Sequence, residues 1–152
     1  NTDEQFFTSL GRPVYGGGGI MPDIFVPQDT TGISSWLIEV NNKGIILQFG
    51  FEYTDRNRAK LAEYTTQEDL HAYLEKQNLV QQFIRYADQK GVKRRNLLIQ
   101  KSRKLLQRNL YASIIYTMLG REEYIRYINQ DDATVQTALE VLEKDEAYPQ
   151  AP

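Results

Sequence analysis

Apolar side chains change their spacing once along this chain, near Asp29. Before that point Phe6, Phe7, Val14, Ile20, Ile24 and Phe25 stand in short clusters among glycine and proline. After it they recur three and four residues apart, the spacing of a helix that buries one face. Gln5 to Ser9 and Pro13 to Tyr15 flank Leu10-Gly11-Arg12, which is hairpin spacing with a glycine in the loop and Pro13 at a strand start or an edge. Ile33, Trp36, Leu37 and Val40 predict a first helix behind Thr30 or Thr31 as N-cap, with Trp36, the single tryptophan, as a core anchor. Asn41-Asn42-Lys43-Gly44 stops it, and Ile45, Ile46, Phe49 and Tyr53 open a second helix that continues or breaks near Asp55.

Further on, Thr66 with Asp69 has the pattern of a capping box opening a helix to about Lys76. Leu79, Phe83, Ile84, Tyr86 and Ala87 follow, closed by Gly91. The longest helix is predicted from about Lys93 to Leu119, with Leu98, Leu105, Ala112 and Leu119 seven apart. Leu97, Leu106, Leu110, Ile114, Ile115 and Met118 widen its stripe, and Gly120 stops it. A short helix around Tyr124 to Ile128 and one from Asp132 to about Ala147 complete the set, with Pro149 to Pro152 as a frayed tail. The expected fold is mainly α: a multi-helix bundle over 29–152 behind a short N-terminal β-hairpin and extended segment over 1–28. Segment lengths differ and no repeat is present, which excludes a solenoid.

Between hairpin and helices lies Arg12-Pro13-Val14-Tyr15-Gly16-Gly17-Gly18-Gly19-Ile20-Met21-Pro22-Asp23-Ile24-Phe25-Val26-Pro27. Consecutive glycines are costly to order and are kept where φ is positive or another backbone passes close, so a tight backbone crossing is expected here. Pro22 and Pro27 push Met21 and Val26 towards extended conformations and make Ile24 to Val26 a short extended run. A phosphate-cradling loop would need Gly-Lys-Ser/Thr at a helix start, whereas Gly19 is followed by Ile20-Met21-Pro22. A dinucleotide fingerprint would need a helix where Pro22 and Asp23 stand.

The chain's 152 residues, 41% of them hydrophobic, suffice for one core, since a chain of this size buries roughly 70% of its unfolded surface. A net charge of −2 argues against a whole-molecule field for nucleic acid or an anionic membrane. The absence of cysteine excludes disulfides and thiolate metal sites, and no apolar run is long enough for a membrane span. Charge is uneven, however. Residues 89–121 hold Lys90, Lys93, Arg94, Arg95, Lys101, Arg103, Lys104, Arg108 and Arg121 and no acid, with acidic segments on either side. Lys101, Lys104 and Arg108 share a helical face that suits a phosphate backbone. The reading favoured by the net charge is a basic helix neutralised by acidic neighbours in its own bundle, without nucleic acid as partner.

Gly11-Arg12, Tyr15, Gly17-Gly18-Gly19-Ile20 and Pro22-Asp23 together resemble the end of the protease core in carboxy-terminal processing, tail-specific serine peptidases of the Ser/Lys type. With Asp29-Thr30-Thr31 the wording is similar to the form found in Bacteroidetes-type bacteria. The resemblance is specific from about Phe6 to Thr31 and looser over the helical remainder. It implies a parent endopeptidase of the periplasm or cell envelope that cleaves protein substrates near their carboxyl ends, with this chain as its non-catalytic C-terminal region.

The family's dyad needs a serine after a small-residue strand and a lysine held neutral on a later turn. Neither context occurs around Ser9, Ser34, Ser35, Ser102 or Ser113. Ser102, beside Lys101 and Lys104, is the nearest pairing, and the surrounding basic run reads as a solvated face. His71 has no cysteine or second histidine to share a metal and reads as an ordinary helix residue. No catalytic residue, cofactor or metal is therefore expected. Tyr64, Tyr73, Tyr86, Tyr111, Tyr116, Tyr124 and Tyr127 either line a groove for an unfolded peptide or, the favoured reading, rim the core. Hairpin edges stripped of parent partners predict a homodimer through residues 1–28. The alternative to a peptidase region is a free-standing helical protein-interaction module.

Overall fold

A computed structural model describes residues 5–9, 11, 13–16, 22 and 24–144. The glycine run from Gly17, the expected conformation of Met21 and the tail from Pro149 lie outside the described residues, as does the end of the last predicted helix. Residues 29–132 form one compact unit, and a second unit takes residues 1–28 with 133–152.

In the second unit, β1 (Gln5–Phe7) and β2 (Pro13–Tyr15) pair antiparallel with Gln5 opposite Tyr15, Phe6 opposite Val14 and Phe7 opposite Pro13. Pro13 opens its strand, where the missing N–H costs least. Gly11 turns the loop at φ +80°, its N–H donating to the Thr8 carbonyl at 2.9 Å. Ile24 to Pro27 form no ladder with either strand. The last helix, α8 (Ala133–Glu143), begins where its apolar spacing begins.

The 29–132 unit holds α1 (Ser35–Asn42), α2 (Ile45–Leu61), α3 (Gln67–Glu75), α4 (Leu79–Gln89), α5 (Asn96–Lys101), α6 (Arg103–Leu119) and α7 (Arg121–Asn129). The first helix starts later than Thr30 or Thr31 would have it. Asp29 takes both the N–H and the hydroxyl of Thr31, at 2.8 and 2.7 Å, so that residue is held in a turn. Ser34, extended at φ −118°, ψ 157°, is the cap, its hydroxyl accepting from the Leu37 N–H. Gly44 at φ +65° separates α1 from α2, and α2 runs through Asp55 to Leu61. Thr66 caps α3 as expected: its hydroxyl accepts from the Asp69 N–H and donates to the Asp69 carboxylate.

The long helix predicted from Lys93 is two helices that meet at Ser102. Backbone bonding runs through the junction, the Ser102 N–H donating to the Leu98 carbonyl and the Leu106 N–H to the Ser102 carbonyl. Gly120, at φ +85°, ends α6, and α7 begins at once, three residues ahead of Tyr124.

Helix α6 touches α2, α3, α4 and α7, and Leu106, Leu110, Ile114 and Ile115 on it are fully buried. Trp36 is 1% exposed, edge-on to Phe83, with its ring N–H donating to the Lys93 carbonyl at 3.1 Å. Phe49 stands edge-on to Phe83 and Tyr86, so one aromatic cluster ties α1, α2 and α4. Burial of this kind contributes about 1.5–3 kcal/mol per large apolar side chain. Leu97 departs from its expected place in the stripe: it is 84% exposed, because Leu98 and Ile99 take the inward positions of α5.

Candidate functional site

The serine nearest to a lysine proves to be a packing element. Ser102 is fully buried at the α5–α6 junction, and its hydroxyl donates to the Ser34 hydroxyl at 2.6 Å. Lys101 and Lys104 are exposed beside it. A nucleophile needs a base within hydrogen-bond reach and an open face for substrate, and Ser102 has neither. His71 packs against the rings of Tyr111 and Tyr127 at 5.3 and 5.6 Å. Among the described residues no group of three His, Asp or Glu is placed to hold a metal ion. No described helix is long and apolar enough to cross a membrane.

The tyrosines divide by role. Tyr111 and Tyr127 are buried, Tyr64 and Tyr73 stack at 4.9 Å over the core, and Tyr86 donates its hydroxyl to Glu52 at 2.7 Å. Burial drives the Tyr53 hydroxyl up to about 12, helped by Tyr73, and burial with the Glu52 bond does the same for Tyr86. Burial also raises Tyr111 and Tyr127 above the ordinary phenol range. These rings close the core. Tyr116 and Tyr124 behave differently: they meet edge to face at 5.6 Å, and Tyr116 is 55% exposed.

Those two rings line an open cavity of about 590 Å³ between the α1–α2 junction and α6. Ser113 of α6 lines it, and on that residue α2 approaches closely: a Cβ on Gly50 of α2 would clash with the Ser113 hydroxyl. Ile46, Leu47 and Ala112 supply apolar walls, with Leu47 70% exposed. Ser113 and Thr117 give their hydroxyl protons to helix carbonyls, at 3.0 and 2.8 Å, and so line the cavity without seeking a partner. The side-chain amides of Asn41, Asn42 and Asn109 make no hydrogen bond to other described residues. An open, partly apolar cleft with a few unspent amide groups is the ordinary form of a binding site.

Sequence reasoning offers Tyr116 and Tyr124 as groove residues only as the less favoured alternative to a core rim, and reads Ile46 and Ala112 as helix-stripe residues. Asn41 and Asn42 had been absorbed as helix-stop residues, and Asn109 and Thr117 carried no signal. The readable clue was the pair of small residues, Gly50 and Ser113, that lets the two helices approach.

The basic run corrects another expectation. No cation from Lys90 to Arg121 forms an ion pair among the described residues; the pairs present lie elsewhere, as in Lys43–Glu39 and Arg126–Glu122. Glu39, whose pKa is lowered chiefly by its bond to Lys43, feels Arg95 only weakly. Arg108 leaves the predicted phosphate-tracking face because its guanidinium donates to the Ile128 carbonyl at 2.6 Å, near the end of α7. Lys101 and Lys104 are left at a second cavity, about 470 Å³, bordered by the turn at Asp29 and Thr31.

Fold and clefts together define a small helical domain wrapped round one central helix, with open clefts at its surface. The chain belongs to a family of unknown function (DUF8443), which matches residues 36–120 and so spans α1 to the end of α6. No curated protein and no solved structure matches it.

Proposed function

We propose that the 29–132 unit is a non-catalytic module that holds an extended peptide, and that it serves as the C-terminal region of a carboxy-terminal processing serine endopeptidase of the periplasm or envelope. The observation that carries the binding role is the cleft at Tyr116. Its three unspent carboxamides each offer a donor and an acceptor, the needs of an extended main chain, above apolar walls for side chains. The peptidase setting rests on the resemblance of Gly11-Arg12, Tyr15 and Gly17 to Asp23. The buried, serine-bonded state of Ser102 is consistent with a region that leaves cleavage to a separate core.

A short, neutral, unstructured labelled peptide titrated into the full chain tests the binding role. Saturable binding is expected, weakened about tenfold by Asn109→Ala combined with Tyr116→Ala, with no cleavage products by mass spectrometry. Absent binding, or equal binding by the variant, overturns it. The coding frame upstream of Asn1 tests the setting: a serine peptidase core there is expected, and a start codon near Asn1 leaves only the free-standing module.

A further inference from the structure

The second cleft stands apart from the peptide cleft and has a chemistry of its own. Its wall is the face of α5 and the start of α6 that carries Gln100, Lys101, Lys104 and Leu105; Leu97 lies outside the lining, one helical turn before Gln100 and Lys101 on α5. Across from them the turn at Asp29 and Thr31 closes a cavity of about 470 Å³. The Asp29 carboxylate accepts the Thr31 N–H and hydroxyl on one oxygen and forms no ion pair with either lysine, leaving one anion at the border of the cavity against the two cations of its wall. Neither lysine has an ion-pair partner among the described residues, and the loop before α5 adds exposed Lys93 and Arg94, of which Arg94 donates to the Asn96 side-chain oxygen and neither forms an ion pair among those residues. In a chain of net charge −2, these cations, none of them in an ion pair among the described residues, make a local basic patch.

We infer that this surface docks an acidic protein segment that carries an apolar side chain among its carboxylates. The lysines at Lys101 and Lys104 supply the complementary charge, and Leu97, 84% exposed between Arg94 and Lys101, supplies the apolar contact. Nucleic acid fits less well. Its affinity grows with the number of phosphates neutralised along a track, and here Arg108 is withdrawn from the track by Ile128. The cavity lining contains no aromatic side chain and so no platform for a base, and exposed Leu97 offers nothing to a phosphate.

Fluorescence anisotropy on the full chain tests this with four labelled probes: a Glu/Asp-rich peptide with a central leucine, the same peptide with serine in its place, a lysine-rich counterpart, and a single-stranded oligonucleotide. The leucine-containing acidic peptide is expected to bind tightest, with affinity falling as salt rises. Lys101→Glu with Lys104→Glu, and separately Leu97→Ser, should each weaken it about tenfold. All three side chains are exposed, so thermal melts of the variants should match the parent. The Tyr116 cleft variant should bind this probe unchanged, which separates this docking surface from the peptide-holding role. No binding at low salt, tighter binding of the oligonucleotide, equal binding of the serine peptide, or indifference to the variants overturns the inference.

Discussion

Ser102 and Ser34, far apart in the chain, share a buried hydrogen bond of 2.6 Å, and the accepting hydroxyl of Ser34 also caps α1 through the Leu37 N–H. One side chain therefore starts a helix and anchors the junction of two others. Ser34→Ala removes the cap and strands the Ser102 donor in the core. Loss of an N-cap costs about 1 kcal/mol and an unsatisfied buried donor about 1–3 kcal/mol, so urea unfolding should show a loss near their sum. Ser102→Ala should cost less, because it leaves the cap in place. The double variant should lose less than the two singles added together.

Gly50→Ala should destabilise although alanine is the better helix former. The new methyl would clash with the Ser113 hydroxyl and stand 3.0 Å from its Cβ, and that hydroxyl is held by the Leu110 carbonyl. Overpacking of this kind costs about 1–3 kcal/mol, against a propensity gain of about 1 kcal/mol. Adding Ser113→Gly should recover part of the loss in thermal melts. The Tyr116 cleft, which Ser113 lines, should bind its peptide more weakly in Gly50→Ala.

Stability should fall in alkali. Tyr53 and Tyr86 ionise near 12 in the folded chain and near the ordinary 10 when unfolded, so the folded state holds its protons longer. The stabilisation is complete below about pH 10 and is lost as pH rises through 12. For Tyr53, 6% exposed, the difference is of order 1–3 kcal/mol. Urea midpoints measured from pH 9 upward should decline, and Tyr53→Phe should flatten that decline. A parallel decline in the variant would exclude Tyr53 as its source.

The hairpin should bring two copies together. Phe6, Phe7 and Phe25 are 56%, 66% and 78% exposed, and two strands alone make a marginal sheet in water. Light scattering at high micromolar concentration should show a dimer for the full chain and a monomer for residues 29–132, with helical circular dichroism and a cooperative melt in the shorter chain. A monomeric full chain would remove the dimer, and an unfolded 29–132 would remove the independence of that unit.

Local chemistry was enough to place much of this protein. The period of the apolar residues marked the helices, Gly44, Gly91 and Gly120 marked the turns that need positive φ, and Thr66 with Asp69 marked a helix start. Those signals act over one or two turns, so a linear reading captures them. Tertiary contacts decided the rest. Ser34 displaced Thr30 and Thr31 as the cap because Asp29 holds Thr31 in a turn, and Ser34 itself is fixed by a residue on a distant helix. The expected long helix divides at Ser102, where that same contact is made. Leu97 faces water although its spacing is apolar, because helical period assigns residues to faces but not faces to neighbours. The cleft brings Ser113, where α2 and α6 approach, together with carboxamides that make no hydrogen bond to other described residues, and the cations of the basic run form no ion pair among the described residues. Which groups meet, and which are left over, is settled only when the helices pack.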